Sequence, residues 1–569
     1  MRYRSESRSQ GGPDYDSPRQ QRFAGEPAGR RAAGRRGFGG DDWDGSGRDG
    51  WGGSGRRSRP RRWRYKSRLA KAGYVAGIFV TVLVVLASLG AYAIYRHLTG
   101  NIKAVSVSGL SHRSIYGVQN ILLLGSQTRK GQGKGFGNNP SLNTSNSDNL
   151  LLVHIDPTHT HALILSIPRD TIVYEPGCKA RPSIGTGIWG PYQAAIIDGA
   201  MNIGGPSCAV KTVKDFTGIK LDHFVMFDFN SFRAMVDSIG GVEVCVPRGG
   251  YHDKWSRLNL SAGKHLLTYN RALAYVRTRH GVQADGNVGG DLGRIMLQQA
   301  FISSIVQKVN SQGLLSNVPQ LLKIADIATK ALTVDQGLDS VSKLLGLART
   351  LSHLRSKNVS LLTMPTVTDT NPAGSGRLLP EEPQDDVIFQ MVLHGQDWHG
   401  HLPTEPAGRV KVRVLNGTGS PGLAGRTARG RRKLGFDVTG VANATPTATT
   451  TVDYSGIAQA DSAYTLMTAL KSPPFAQNLL SEPAPQLGKP GTVTLILGTD
   501  FAGVNRPPKP STGKSGHAKH GKPASSSSGS SSSSSSNLSS PGFVQARNAG
   551  ASICSGLPQA NPNSGRPPP

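Results

Sequence analysis

The longest apolar stretch of the chain lies near its N-terminus. The segment GYVAGIFVTVLVVLASLGAYAIY, residues 73–95, contains no charged residue. A helix of this length spans roughly 34 Å, enough to cross a hydrocarbon core of about 30 Å. The pattern predicts one transmembrane helix over 73–95, because the stretch is too long for the apolar part of a cleaved signal peptide.

Short apolar runs alternate with amphipathic stretches over residues 119–365. Several of the strand-like runs are continuously apolar, which is typical of strands covered on both faces. This alternation predicts an α/β domain with a central sheet. The predicted strands are 120–125, 149–156, 162–168 and 241–247, and the predicted helices are 208–217, 231–239 and 295–309.

The rest of the chain divides by composition. Residues 409–500 read as strand, Gly-rich turn, helix and closing strand, which predicts a second, smaller α/β domain. A Pro-rich linker is predicted at 366–408 and a tether at 96–118. The Arg/Gly/Ser-rich residues 1–72 and the Ser/Pro-rich residues 501–569 have too few large apolar residues to pack, so both are predicted to be disordered.

Charge is distributed unevenly along the chain. The formal net charge is +29, and residues 55–71, directly before the apolar stretch, contain many basic residues and no acid. By the positive-inside rule, residues 1–72 should be cytoplasmic and the later domains extracytoplasmic. The basic arm is expected to adhere to anionic lipid, with a specific cytoplasmic partner as the alternative. No helix-turn-helix pattern accompanies the charge, so nucleic acid is not an expected partner.

All four cysteines follow the predicted membrane helix, on the side where disulfides persist. Cys178 follows a Pro-Gly turn and Cys208 a Gly-Gly-Pro turn. We therefore favour a Cys178–Cys208 disulfide as a staple between loops. The alternative is that the three cysteines of the first domain are simply small buried residues.

Four arginines lie at predicted strand ends and turns, where an α/β sheet presents its ligand site. In YVRTRH, Arg277 and Arg279 are two residues apart, so on a strand both would point to one face. Two such guanidinium groups repel each other unless an anion lies between them, and they suit a phosphate. Arg169 and Arg294 could complete a positive pocket.

The competing interpretation is that these arginines form ordinary ion pairs with acids. Asp148, Asp170 and Asp291 are the candidate partners. Asp148 is also the best candidate to hold a metal, because carboxylate oxygens suit Mg²⁺ beside a phosphate. The cysteines and histidines show no zinc-site spacing.

Six ordered motifs resemble the LytR-CpsA-Psr family over residues 119–308. They are NILLLGS, SDNLLLVHIDP, LSIPRD, FTGIKLDHFVMFDFNSFRAMVDSIGGVEV, LSAGKHLLTYNRALAYVRTRH and GDLGRIMLQQ. VRVLNGTGSPGLAGRTARGRRKLGFDV resembles the LytR C-terminal domain of actinobacterial members. The resemblance implies an α/β/α sandwich with a central mixed sheet, followed by that second domain.

The family resemblance implies a cell-wall glycopolymer phosphotransferase. Such an enzyme takes an anionic glycopolymer, such as a teichoic acid, from a polyprenyl pyrophosphate carrier and joins it by phosphodiester to peptidoglycan. The implied cofactor is Mg²⁺ or Mn²⁺, the implied location is the cell membrane, and a pyrophosphatase side activity is compatible with the same chemistry. Phosphoryl transfer needs mainly positioning and charge neutralisation, which arginines and a metal supply.

By motif, the resemblance also assigns roles to individual residues. Pyrophosphate binding falls to Arg169, Arg277, Arg279, Arg294 and Gln298. Asp148 would help to hold the metal, together with Gln127. Asp291 would orient an arginine or assist the acceptor hydroxyl.

The chain departs from the family pattern at several of these motifs. Gln127 stands where the family usually has Asp, and Asn146 where it has Arg. Asp198 follows two isoleucines in place of the family's Lys-Ile-Asn, and Leu297 replaces an expected Arg. These changes keep a second hypothesis open, a protein of the same fold that binds the lipid without efficient transfer. A third, less favoured, is a membrane-linked transcription attenuator.

Overall fold

The computed structural model describes residues 68–111, 117–126, 147–283, 291–311, 318–371, 376–471, 475–478, 491–507 and 544–560. Most of the predicted N-terminal arm therefore lies outside the described residues. So does most of the Ser-rich part of the predicted tail.

The helices are α1 (Arg68–Asn101), α2 (Gly199–Gly204), α3 (Pro206–Thr217), α4 (Phe229–Ser238), α5 (Tyr269–Arg277), α6 (Asp291–Ser311), α7 (Val318–Ala331), α8 (Val341–Ser352), α9 (Gln384–Leu393), α10 (Leu423–Lys433) and α11 (Ala460–Thr468).

The strands are β1 (Lys103–Val105), β2 (Gln119–Ser126), β3 (Ser147–Ile155), β4 (Ala162–Ile167), β5 (Ile172–Glu175), β6 (Cys178–Lys179), β7 (Ile188–Trp189), β8 (Tyr192–Ile196), β9 (His223–Phe227), β10 (Val242–Val246), β11 (Tyr251–Asp253), β12 (Leu258–Leu260), β13 (Gly263–Leu267), β14 (Val282–Gln283), β15 (Leu332–Asp335), β16 (Val359–Thr363), β17 (Thr366–Thr368), β18 (Leu378–Pro380), β19 (Lys411–Asn416), β20 (Asp437–Asn443), β21 (Thr451–Tyr454), β22 (Phe475–Asn478), β23 (Val493–Leu497), β24 (Ala546–Asn548) and β25 (Gln559–Ala560).

Helix α1 contains the predicted membrane span. Its segment Lys71–Asn101 reaches a mean hydropathy of 2.3, and none of its most apolar window is buried. Among the described residues it is the one helix long and apolar enough to cross a membrane. The end of α1 is held by Asp326 of α7, which accepts hydrogen bonds from His97 (3.0 Å) and Asn101 (3.2 Å).

The first domain is built on an eight-stranded sheet in the order β1-β15-β9-β2-β3-β4-β16-β24. β2, β3 and β4 are antiparallel neighbours, whereas β9 runs parallel to β2 and β16 parallel to β4. Leu122 and Leu124 contribute to one apolar cluster, and Ile121 and Leu123 to another. Alternate residues therefore pack on opposite faces, which explains the continuously apolar strands and confirms the central mixed sheet.

The predicted tether at 96–118 is wrong in its described part. β1 begins two residues after α1 ends and pairs in parallel with β15 at the edge of the sheet. Further along, the amide of Ser111 donates to the carbonyl of Leu221 at 2.8 Å. The sequence did not reveal β1 because a three-residue edge strand has too few positions to show a period.

The predicted linker at 366–408 is also wrong in its described part. It contains the hairpin β17–β18 and helix α9, whose residues 384–392 are all buried. The ring of Phe389 packs against Phe216 of α3 at a centroid distance of 5.3 Å. Prolines on both sides of α9 obscured the apolar run that makes it a core helix.

The second domain has a five-stranded sheet in the order β20-β19-β23-β21-β22. β19 runs parallel to both β20 and β23, and α10 connects β19 to β20. Apolar residues of both domains belong to one continuous core cluster, with α9 inside it. The smaller α/β domain predicted for 409–500 is thus present, and it shares its core with the first.

The chain returns to the first domain after the second, so the prediction of an unfolded tail over 501–569 is wrong for residues 544–560. β24 pairs antiparallel with β16, β25 pairs with β14, and Cys554 forms a disulfide with Cys245. The segment contains few large apolar residues. Its fold comes from strand pairing, the disulfide and the buried Arg547, which donates to Ser303 Oγ at 3.1 Å.

Candidate active site

The antiparallel register of β3 and β4 brings the first pair of site residues together. Leu150 lies opposite Ile167. Continuing this register by two residues places Asp148, near the start of β3, opposite Arg169, just after the end of β4. The Arg169 guanidinium donates to Asp148 Oδ1 at 2.7 Å. The contact therefore follows directly from the strand pairing.

Two further arginines join this pair and complete what we call the arginine cluster: Arg169, Arg279 and Arg294 with Asp148 and Asp170. Arg294, on α6, places Nη1 3.8 Å from Asp148 Oδ1. Asp170 Oδ2 lies 3.5 Å from Arg169 Nε and 4.0 Å from Arg279 Nη2. Three elements distant in sequence thus converge at the ends of β3 and β4.

The cluster as defined contains three guanidinium groups and two carboxylates. The Arg294 side chain is only 6% exposed and that of Arg279 is 35% exposed, so the cluster runs from the interior to solvent. Guanidinium groups held by carboxylates in a partly dehydrated site are well placed to bind a compact anion.

Arg277 takes a different position from the one predicted. Arg277 and Arg279 lie at the end of helix α5 and in the turn that follows, so the prediction of a shared strand face is wrong. The Arg277 guanidinium lies 4.7 Å from the centre of the Phe229 ring, a cation–π contact. Arg279 Nη2 lies 4.0 Å from Asp170 Oδ2.

Asp253 holds the turn that carries Arg279, a role that was not predicted from sequence. Asp253 Oδ2 accepts from the backbone amides of Arg279 (3.1 Å) and His280 (3.2 Å), and Oδ1 from that of Trp255 (2.8 Å). Burial opposes its charge, but the donating amides outweigh burial and lower the pKa of the carboxyl. The signal available in sequence was the short Asp-Lys-Trp-Ser turn.

The remaining predicted site residues are only partly placed. The Gln298 side chain donates to the carbonyl of Val276 at 2.9 Å, which joins α6 to α5. Asp291 is the first residue of α6, but its side chain is outside the described set. Gln127 and Asn146 also lie outside the described residues. Leu297 is fully buried in an apolar cluster with Tyr275.

The predicted disulfide between Cys178 and Cys208 is confirmed. The second disulfide, between Cys245 and Cys554, was missed because 309 residues separate its partners. Within the described residues, one group of acids and cysteines is close enough together to share a metal: Glu175, Cys178 and Cys208. Its two cysteines are bonded to each other, so this group is a structural staple.

A sequence model of the LytR_cpsA_psr family matches residues 91–388, more than half of the chain. The chain belongs to this family. A second model, described as the LytR cell envelope-related transcriptional attenuator, matches residues 409–501 and coincides with the second domain.

Two relatives known by name agree with this assignment. The chain is 28% identical over 403 residues to the cell wall biosynthesis protein LcpA of Corynebacterium glutamicum, covering 64% of this chain and 76% of LcpA. It is 28% identical over 304 residues to TagV of Bacillus subtilis, a polyisoprenyl-teichoic acid–peptidoglycan teichoic acid transferase, covering 50% and 69%. Among solved structures, the LytR-Csp2A-Psr enzyme from Actinomyces oris is 22% identical with a TM-score of 0.39, covering 51% and 96%.

Proposed function

We propose that the chain transfers an anionic glycopolymer from a polyprenyl pyrophosphate carrier to peptidoglycan and forms a phosphodiester link. The observation that carries the proposal is the arginine cluster, a partly buried site where three guanidinium groups converge, in a chain of the LytR_cpsA_psr family. The relative TagV, which carries a teichoic acid transferase name, supports the same reaction class.

In the proposed reaction the arginine cluster binds the pyrophosphate. Arg169, Arg279 and Arg294 neutralise the charge that spreads over the phosphoryl oxygens. An acceptor hydroxyl on peptidoglycan attacks the phosphorus next to the glycopolymer, the bridging P–O bond breaks, and polyprenyl phosphate leaves. Asp291 is our candidate to orient or deprotonate that hydroxyl. Water in place of the sugar hydroxyl would give pyrophosphate hydrolysis as a side reaction.

A divalent cation, Mg²⁺ or Mn²⁺, fits the residues of this site. Asp148 supplies a hard carboxylate ligand, and its side chain is 23% exposed, so a hydrated ion could reach it. When bound, such an ion supplies further positive charge beside the pyrophosphate. Asp148 would then serve both the ion and Arg169. Gln127 is the second proposed ligand, through its amide oxygen.

The membrane location is also part of the proposal. With the basic residues before α1 on the cytoplasmic side, both domains face the wall. Only Ile102 separates α1 from β1, so the folded part begins where the membrane helix ends. A polyprenyl-linked donor resides in that same membrane, and the anchor would serve substrate capture.

The alternative is a lipid-binding protein without efficient transfer, which the residues Gln127 and Asn146 favour. The test uses the full chain in detergent with a polyprenyl-pyrophosphate-linked polymer, peptidoglycan fragments and Mg²⁺. Appearance of polymer–peptidoglycan product supports the transferase. Co-purification of the lipid without product or pyrophosphate cleavage would favour the binding protein and overturn the transferase.

A further inference from the structure

The second domain contains a group of basic residues that are not part of the arginine cluster. Residues 409–440 contain eight basic residues and one acid, Asp437. Six of the basic side chains are exposed, and we call them the basic face: Arg409, Lys411, Arg426, Arg429, Arg432 and Lys433.

Helix spacing, one side-chain contact and strand register bring five of these residues close together. Arg426, Arg429 and Lys433 are spaced by three and four along α10, so they share one side of the helix. The Arg432 guanidinium donates to the carbonyl of Val438 on β20 at 3.2 Å. Lys411, the first residue of β19, is the register partner of Asp437, the first residue of β20. Because β20 begins four residues after α10 ends, the start of β19 lies near the end of α10.

Ordinary helix stabilisation accounts for only part of this charge. Cations in the last turn of a helix interact favourably with its dipole, which covers Arg431, Arg432 and Lys433. It does not cover Arg426 or Arg429, or the cations outside the helix. Across the described residues, no ion pair engages any member of the basic face.

A buried arginine lies beneath this surface. Arg431 is fully buried, and none of its three guanidinium nitrogens has a hydrogen-bond partner in the described part of the chain. The Arg431 guanidinium carbon lies 5.3 Å from the centre of the Phe436 ring, a cation–π contact. The domain thus keeps a desolvated cation under an exposed cationic face, which raises the positive potential there.

The composition of the surface selects the class of ligand. A membrane-binding face combines basic residues with several exposed large apolar ones. The described chain exposes none between 409 and 440 and only Val441, on β20, directly after them. Sequence-tolerant nucleic-acid binding uses exposed aromatic rings, and the one aromatic residue here, Phe436, is buried. A surface that offers several cations and no exposed aromatic ring suits an extended, flexible anion with repeating charges.

We propose that the basic face binds the phosphodiester chain of the donor glycopolymer, at a site distinct from the arginine cluster. This inference rests on the proposed function, which supplies the polymer. The arginine cluster would hold the pyrophosphate end while the basic face holds repeating units farther along the same molecule. Donors long enough to reach both sites would bind more tightly than short ones.

The test measures binding of poly(glycerol phosphate) to the full chain in uncharged detergent, without acceptor or Mg²⁺, so that it does not depend on turnover. The variant combines Lys411→Gln, Arg429→Gln and Lys433→Gln. None of these three side chains donates a hydrogen bond within the described part of the chain. A matched control removes three exposed cations from the first domain: Arg349→Gln, Arg355→Gln and Lys357→Gln. Unchanged thermal unfolding of both proteins excludes misfolding.

We expect the basic-face variant to bind the polymer about tenfold more weakly at 0.15 M salt, and the control to bind as the parent does. The slope of log affinity against log salt should also fall by roughly 2, about 0.7 for each lost contact with a single chain. Equal weakening in both variants, or no binding by the parent, would overturn the proposal.

A parallel arm uses vesicles of phosphatidylglycerol and phosphatidylcholine. Binding to these vesicles through the basic face, without binding to the polymer, would assign the surface to lipid and overturn the proposal. If the polymer binds through the basic face but no transfer occurs in the functional assay, the proposed function fails while this binding site stands.

Discussion

The two domains hold their arginines in opposite ways. In the arginine cluster, each of the three guanidinium groups lies within 4.0 Å of Asp148 or Asp170. On the basic face, none of the six exposed cations forms an ion pair with a described residue. The first arrangement holds side chains in one geometry, whereas the second leaves them free to adapt.

This difference suits two kinds of anion. Paired guanidinium groups need little reorganisation to bind a compact phosphate, which is what a transfer site requires. Unpaired surface cations gain affinity by displacing counterions from a long polyanion, and that affinity depends strongly on salt. The positions of acids, more than the number of arginines, therefore distinguish the two sites.

Several acids lie in or beside the core that the two domains share. Asp386 of α9 accepts a hydrogen bond from the Tyr454 hydroxyl at 2.8 Å, inside the shared core. Burial and the neighbouring charge of Asp386 raise the pKa of Asp385. Burial, followed by the charge of Glu405, raises the pKa of Asp461 to about 6. These acids are in or beside the shared core, whereas Asp437 at the start of β20 is the register partner of Lys411.

The largest expected effect comes from removing the best-held guanidinium of the arginine cluster. Arg169→Ala should lower the transfer rate by roughly 10²–10³-fold, because a preorganised charge next to the transferring group is lost. Single-turnover transfer measures this, with Arg349→Ala as the control for a lost exposed charge. A transfer rate within twofold of the parent would remove Arg169 from the site.

The disulfide between Cys245 and Cys554 should matter for stability more than its late position in the chain suggests. Replacing both cysteines by serine should lower the free energy of unfolding of the first domain by about 2–4 kcal/mol, because the cross-link closes a very long loop. Thermal unfolding measures this. The matched variant with Cys178→Ser and Cys208→Ser removes a disulfide that closes a much shorter loop. An unchanged unfolding temperature would mean that residues 544–560 do not secure the sheet.

Single substitutions of Arg277 and Arg279 should have different effects. Arg279→Ala should lower transfer by roughly tenfold to a hundredfold, because it removes a charge from the arginine cluster. Arg277→Ala should act mainly on stability, by about 0.5–1 kcal/mol, through the lost contact with Phe229. The double variant should lose transfer to about the same extent as Arg279→Ala alone, with the fold retained. Equal loss of transfer from both single variants would show that Arg277 also reaches the donor.

The smallest effect concerns the buried acids of the second domain. A raised carboxyl pKa means that the folded state binds the Asp461 proton more tightly than the unfolded state does. The loss of folding stability that ionised Asp461 causes is therefore absent below about pH 4, grows as the pH rises, and is complete above about pH 6. Asp461→Asn should stabilise the domain by about 1–2 kcal/mol at pH 7 and hardly at all at pH 4. Thermal unfolding at the two pH values measures this, and an equal gain at both would contradict it.

Local patterns predicted most elements and several site residues. The apolar strands, helix α6 and the placement of Arg169 and Arg294 near strand and helix ends all follow from short segments. Arg277 was misplaced because YVRTRH reads equally well as a strand or as the end of a helix. Asp253 was missed because its role depends on the turn that it closes.

The sequence by itself determined the membrane helix, the two α/β domains and the family, because each rests on periodicity or on motifs a few residues long. Only the tertiary structure decided that Asp148 meets Arg169 and Arg294, that α9 lies inside a shared core, and that residues 544–560 complete the first sheet. These contacts join segments up to several hundred residues apart, and their pairing depends on strand register and core packing across the whole fold.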